Sequence, residues 1–64
     1  MRNYEHLTTE HGQDVYIAVS DDGTYWVLER IDRRGNVQTS PHYASRDEAY
    51  TAWTNRHNQP INFR

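Results

Sequence analysis

The stretch of residues 24–32 constrains the fold of this chain more than any other part of it. It reads Thr-Tyr-Trp-Val-Leu-Glu-Arg-Ile-Asp and is rich in the β-branched and aromatic residues that suit a pleated sheet. Turn-forming residues bound it, with Asp-Asp-Gly before it and Arg-Arg-Gly-Asn after it. The sequence therefore predicts the central strand of a small antiparallel sheet.

Both faces of this predicted strand carry large apolar side chains. Because side chains alternate along a strand, the two faces hold Tyr25, Val27, Glu29 and Ile31 on one side and Trp26, Leu28, Arg30 and Asp32 on the other. Glu29 is the charged member of the first face. We expect it to lie near the sheet edge or to pair with Arg56.

One helix covers only one face of a sheet, and we expect it to cover the face with Val27. The face with Trp26, Leu28 and Arg30 is then predicted to bind a partner, because an exposed apolar patch more often marks an interface. A second copy of the chain is the partner that we expect. The alternative is that the N-terminal arm, or Ile61 and Phe63 of the C-terminal tail, fold over this patch.

Size and composition allow a single small domain over residues 1–64. Leu, Ile, Val and Phe together number ten of 64 residues, and eight aromatic residues supply the missing core volume. The chain has no cysteine, which excludes a disulfide framework and a thiolate zinc site. Because domains this small commonly gain stability from a partner subunit, composition also favours a homodimer.

Two further strands are predicted around the central one. Residues 14–20 alternate apolar and other side chains, and Asp-Asp-Gly at 21–23 closes a hairpin to the central strand. Residues 37–40 form a weaker third strand that ends at Pro41, which has no N–H for a sheet ladder. The result is a three-stranded antiparallel meander.

The ends of the chain are predicted to be a polar arm, a helix and a tail. Residues 1–13 are polar and form an arm, or alternatively a short edge strand over 4–9 that turns at Gly12. Ser-Arg-Asp-Glu at 45–48 is a capping box and starts a helix over 46–57, with Ala49 and Trp53 on its apolar stripe. Residues 58–64 are the tail. Residues 14–57 are thus a β-β-β-α unit, and the predicted fold class is α+β.

This order of elements resembles one repeat of the YegP-like family of small bacterial proteins. The matching residues, within about 15–57, are Val15-Tyr16-Ile17, Asp22-Gly23-Thr24-Tyr25, Gly35-Asn36-Val37, Ser40, Tyr43, Ser45 and Ala49. The resemblance implies a β-β-β-α unit that pairs in tandem or as a dimer. The chain departs from the family pattern in a shorter third strand and in Trp53 and Arg56, where small aliphatic residues are usual.

The same topology is similar to two DNA readers, the plant ethylene-response-factor domain and the arm-binding domain of some integrases. That resemblance implies nucleic-acid contact by Arg30, Arg33 and Arg34. The neighbouring carboxylates dilute this positive patch, and the net charge is −2. Nucleic-acid binding is therefore the alternative function.

Catalysis, a metal site and a cofactor have no motif in this sequence. The four histidines, His6, His11, His42 and His57, fall in the arm, a loop and the helix end, without the spacing of metal ligands on one helix. We expect no catalytic residue, no metal ligand and no cofactor. The chain also lacks an apolar run long enough for a membrane span or a signal peptide, so we expect a cytoplasmic protein with no membrane partner.

The sequence thus favours a small non-enzymatic binding or regulatory module that acts through protein–protein contact as a homodimer. Its predicted partner-binding residues are Trp26, Leu28 and Arg30. A third function, an inhibitor of a host system of the kind that phages and plasmids encode, is left open.

Overall fold

A four-stranded antiparallel sheet followed by one helix forms the structure, a computed structural model that describes residues 2–64 and the side chains from Glu5 onward. The strands lie side by side in the order in which they occur along the chain. The elements are β1 (Arg2–Glu10), β2 (Gln13–Val19), β3 (Trp26–Ile31), β4 (Val37–Thr39) and α1 (Arg46–Thr54). The predicted α+β class, with a meander and a C-terminal helix, is confirmed.

The N-terminal residues form the longest strand of the sheet instead of a polar arm. β1 has nine residues and pairs with β2 in antiparallel register. The two residues between the strands both have positive φ, 53° at His11 and 75° at Gly12, which suits the two-residue turns that match hairpin twist. The arm predicted for 1–13 is therefore wrong, and the alternative edge strand is confirmed. Met1 lies outside the described residues.

The helix begins where the capping box predicts. The Ser45 hydroxyl accepts a hydrogen bond from the Glu48 N–H at 3.1 Å. The Glu48 carboxylate in turn accepts from the Ala44 N–H at 2.9 Å, one residue before the position that the capping box leads us to expect. The first contact satisfies one of the N–H groups that a helix start leaves without partners, and the second holds the residue before the cap.

The helix ends at Thr54, not at His57 as predicted. The Asn55 carbonyl accepts hydrogen bonds from the N–H groups of Asn58 and Gln59, each at 3.0 Å. These bonds turn the chain away from the helix axis, so the last predicted turn of helix belongs to a loop. Pro60 follows directly and prevents further helix.

The core lies between one face of the sheet and the helix. Ile17 of β2, Leu28 of β3 and Ala49 of α1 are all fully buried at its centre. Partly buried apolar side chains surround these three. They come from β1, β3, the loop between β4 and α1, the helix and the tail, namely Leu7, Trp26, Tyr43, Trp53, Ile61 and Phe63. The helix thus covers the face with Leu28 and not, as predicted, the face with Val27.

The register of the β2–β3 hairpin explains which face the helix covers. Val19 lies opposite Trp26, and Ile17 lies opposite Leu28. Because cross-strand partners share a face, the apolar row of β2 joins Trp26 and Leu28 to form one continuous apolar surface. We call this surface the covered face; its members on the two central strands are Val15, Ile17, Val19, Trp26, Leu28 and Arg30.

Candidate functional site

The predicted partner-binding residues lie on the covered face and are used inside the domain. Leu28 is fully buried. The Trp26 backbone exchanges hydrogen bonds with Tyr43 at 2.8 and 2.7 Å, and its side chain packs against the core. The Arg30 guanidinium lies 4.4 Å from the centre of the Phe63 ring. The prediction that these residues form an interface is therefore wrong, since the helix and the tail fill the space, and the alternative that Ile61 and Phe63 fold over the patch is confirmed.

The three arginines proposed for nucleic acid do not share one surface. Arg30 lies on the covered face against Phe63 of the tail and donates two hydrogen bonds to the Gln38 side-chain carbonyl, one of them at 3.0 Å. Arg33 and Arg34 are exposed in the β3–β4 turn. Within that turn the Asp32 carboxylate accepts from the backbone of Asn36 and Arg34, and these bonds, that of Asn36 first, lower the pKa of Asp32. An ionised carboxylate thus lies in the same turn as the two exposed arginines.

The other side of the sheet, which we call the outer face, is built from three rows of cross-strand neighbours. One of them is Ala18 beside Val27, and both of these residues are fully buried. The two further rows include all four strands. One row crosses the strands as His6, Tyr16, Glu29 and Thr39; the other crosses them as Thr9, Asp14, Ile31 and Val37. The helix lies against the covered face and does not pack on these two rows. The tail reaches one of them only at its end, where Arg64 exchanges backbone hydrogen bonds with Thr39. The outer face is therefore the candidate functional site.

Glu29 lies in the middle of the outer face and is nearly buried. The residue is only 7% exposed, and Tyr16 on β2 and Thr39 on β4 flank it. Its carboxylate has no hydrogen bond or ion pair with any residue that the structure describes. No fully buried side-chain oxygen in the described part of the chain lacks a partner, so the Glu29 oxygens reach solvent at the surface of this face. The low exposure of Glu29 leaves only a small part of its carboxylate in contact with water, and a cation can approach the oxygens from that side.

The predicted partner of Glu29 pairs with a different carboxylate. The Arg56 guanidinium lies 3.1 Å from the Glu10 carboxylate and donates at 2.9 Å to the Trp53 carbonyl, on the helix side of the sheet. A strand directs successive side chains to opposite faces, so an arginine that packs on the covered face cannot reach Glu29. The expectation of a Glu29–Arg56 pair, and of a sheet-edge position for Glu29, is wrong.

Asp14 provides a second negative charge on the outer face. The Thr9 hydroxyl donates to its carboxylate at 2.5 Å, and the His6 Nε2 lies 3.3 Å from the same oxygen. These contacts, that of Thr9 first, lower the pKa of Asp14. His6 also contacts Tyr16 edge to face, with ring centres 5.2 Å apart. Asp14 therefore stays ionised, diagonally across the hairpin from Glu29.

An apolar strip lies beside the two carboxylates. Ile31 is half-buried, and its neighbour on β4, Val37, is 51% exposed. Val37 and Tyr50 are the exposed large hydrophobic residues within residues 5–64. The outer face thus combines acidic groups with an apolar strip, a combination that suits the charged head and the apolar stem of a basic side chain.

The edges of the sheet are less suited to binding than the outer face. β1 shows irregular register against β2 at two places, between Arg2 and Glu5 and between His6 and Thr8. Such bulges hinder the addition of another strand. At the opposite edge, Thr39 of β4 exchanges backbone hydrogen bonds with Arg64 at 2.7 and 3.0 Å. Side chains of the outer face, and not backbone edges, therefore offer the contact surface.

Sequence analysis noted Glu29 within an apolar strand but did not identify the outer face as a site. The signal was present, because the apolar row of β2 belongs with Leu28 once the hairpin register is drawn. Among the described residues, no three His, Asp or Glu side chains cluster in the manner of a metal site. Within that same part of the chain, the single helix is too short and too polar to traverse a bilayer.

Comparison of this chain with protein-family models, with curated proteins and with solved structures finds no match. The YegP-like resemblance stays a prediction. Function is therefore argued from the geometry of the outer face.

Proposed function

We propose that this protein is a small non-enzymatic binding module that holds a basic segment of another protein on its outer face. The observation that supports this function is Glu29, a residue that is only 7% exposed on the outer face and has no cationic partner among the described residues. A buried charge is costly unless it is paired. A lysine or arginine from a partner would supply the missing charge.

Charge and shape together select the chemistry of the partner. Asp14 lies diagonal to Glu29, so a cation between them interacts with two carboxylates. The stem of a long basic side chain would pack on Ile31 and Val37, which lie in the same row as Asp14. A basic residue with an apolar neighbour is therefore the element of the partner that fits best.

A second copy of the chain fits this face less well. A two-fold axis through its centre would bring two Glu29 carboxylates together, and each chain already carries a net charge of −2. The homodimer expected from the sequence also relied on Trp26 and Leu28, which the helix and tail now cover. We therefore propose a different protein as partner, and a solution mass of twice 7.7 kDa would contradict this choice.

The nucleic-acid alternative has weaker support, because the outer face is acidic and Arg30 lies on the opposite face, stacked on Phe63 of the tail. We expect no retardation of duplex DNA at about 150 mM salt, where weak electrostatic binding fades. Nucleic-acid-binding proteins expose a basic surface, which an acidic outer face would suit. The third function, an inhibitor of a host system, would therefore act by binding such a protein. The cytoplasmic location expected from the sequence stays a prediction.

A titration with a synthetic peptide tests the proposal. The probe is a short peptide of alternating arginine and valine, and the control peptide has glutamate in place of arginine. We expect the arginine peptide to shift the backbone amide signals of Tyr16, Glu29 and Val37 in a two-dimensional NMR spectrum. Glu29→Gln keeps the shape of the side chain and removes its charge, so the affinity should fall about tenfold.

The matched control variant is Asp47→Asn, which removes one negative charge from a side chain that is 95% exposed in the first turn of the helix. It should leave the affinity within about twofold, because exposed charges are screened. Equal loss of affinity in both variants would mean that net charge alone attracts the peptide. Equal binding of the glutamate peptide would contradict the proposed function.

A further inference from the structure

A pocket of about 320 Å³ opens on the covered side of the sheet, where the end of the helix, the tail and the β1–β2 hairpin meet. Its walls include Val15, Arg30, Trp53, Arg56, Ile61 and Phe63. We propose that this pocket binds a small organic molecule that carries one carboxylate on an apolar body. Its volume lies at the lower end of the range of small-molecule sites.

Arg30 is the cation of the pocket that has no acidic partner within residues 5–64. The ring of Phe63 lies under its guanidinium at 4.4 Å, and the Gln38 side chain accepts two of its hydrogen bonds. A guanidinium has five N–H donors, so three remain for a ligand. Stacking and hydrogen bonding hold the group in one orientation, which favours two-pronged binding of a planar carboxylate.

Arg56 is the second cation of the pocket, and an acidic side chain already compensates it. Its guanidinium lies 3.9 Å from the centre of the Trp53 ring and 3.1 Å from the Glu10 carboxylate. Two arginines and one glutamate leave one net positive charge in the lining, besides the neighbouring His11 and His57. This balance suits a monoanion, whereas a phosphate dianion would meet repulsion from Glu10.

The remaining walls select the body of the ligand. Val15 is buried, and Ile61, Phe63 and Trp53 are partly buried against the core. An aliphatic or aromatic group would be removed from water against these side chains. A free organic acid and an acidic side chain of a peptide both carry such a carboxylate. Two probes, one of each kind, distinguish these two sources of the ligand.

Benzoate is the probe for the free acid, and its binding is read from the indole N–H signal of Trp53 in an NMR titration. We expect a saturable shift with a dissociation constant in the millimolar range, about what one charged contact and a small apolar area give. The indole N–H of Trp26, which does not line the pocket, is the internal reference. Benzyl alcohol, which has the same ring without the charge, should bind at least about tenfold more weakly.

Arg30→Gln should weaken benzoate binding about tenfold, while Arg34→Gln, the matched loss of an exposed arginine, should leave it unchanged. If Arg30→Gln does not fold, Arg30→Lys keeps the charge but not the planar fork and should weaken binding by a smaller factor. Inorganic phosphate should shift the Trp53 signal less than benzoate does. A short peptide with a single glutamate among alanines tests the peptide source.

Saturable binding of either carboxylate probe that depends on Arg30 supports the proposal, and the tighter probe identifies the source. The absence of saturation by both probes up to about 50 mM overturns it, since affinities weaker than this have no specific site. Equal binding of benzyl alcohol, or wild-type affinity in a folded Arg30 variant, also overturns it. The outer face takes no part in this experiment, so its result is independent of the proposed function.

Discussion

The two faces of the sheet are made from alternate residues of the same strands, yet they have opposite roles. On the covered face, Ile17 and Leu28 are fully buried beneath the helix and the tail. On the outer face, Glu29 keeps an unpaired carboxylate, and Val37 remains half in solvent. The covered face stabilises the domain, as does the buried pair Ala18 and Val27 on the outer face, whereas exposed residues of the outer face such as Val37 can be changed at little cost. This difference points to the outer face as the place for function.

The largest expected effect comes from placing a charge on the covered face. Leu28→Asp buries an unpaired carboxylate beneath the helix and should cost more than about 4 kcal/mol, a large part of the stability of a small domain. Circular dichroism should then show a largely unfolded chain. Val37→Asp on the outer face is the control and should cost less than about 0.5 kcal/mol. A wild-type dimer that Leu28→Asp converts into a folded monomer would instead support the interface predicted from the sequence.

Removing the cover supplied by the tail should have the next largest effect. Phe63 packs on the core and beneath the Arg30 guanidinium. Phe63→Ala removes an aromatic side chain that is partly buried. It should lower the free energy of unfolding, measured with urea, by about 1–3 kcal/mol. Asn62→Ala changes an exposed neighbour and should have almost no effect. Equal stability of the two variants would mean that the tail does not stabilise the covered face.

A smaller effect on stability is expected at the start of the helix, which covers this face together with the tail. Ser45→Ala removes the hydroxyl that caps the helix and should lower the free energy of unfolding by about 1 kcal/mol. Ser45→Thr keeps a hydroxyl and should lose much less. The measurement is the thermal midpoint of each variant. An unchanged midpoint for Ser45→Ala would contradict the capping contact.

The smallest expected effect concerns Asp14 on the outer face and depends on pH. Its pKa is lowered in the folded chain, so folding is favoured while it is ionised. That contribution is fully present above the unfolded pKa of about 3.9 and is lost as the pH falls through the lower folded value. In Asp14→Asn the free energy of unfolding should therefore fall less steeply than in wild type as the pH is lowered below about 4.

Urea unfolding at several pH values measures this change, with Asp47→Asn as the control. Other carboxylates with lowered pKa values, those of Glu5, Asp22 and Asp32, contribute to the acid loss in both variants. Only the difference between the variants is therefore attributed to Asp14. An identical acid loss in wild type and Asp14→Asn would show that the contacts of Thr9 and His6 with this carboxylate do not favour folding.

Local sequence signals predicted the elements but were weaker at their ends. The Ser45 capping box located the start of the helix because the cap and its partner are only three residues apart. The helix ends at Thr54 because of backbone hydrogen bonds to the Asn55 carbonyl, and no single residue type predicts such bonds. The first strand was predicted only as the alternative to a polar arm, because its side chains are mostly polar, although the turn at His11 and Gly12 is typical of a hairpin.

The sequence by itself determined that β3 would be central, that both of its faces would be partly apolar and that one helix would follow. Tertiary structure alone decided which face the helix covers, because that choice depends on the register between β2 and β3. The same choice decided the environment of Glu29. Alternation put its carboxylate and Leu28 on opposite faces, and only the packing of α1 on Leu28 left the carboxylate without a partner.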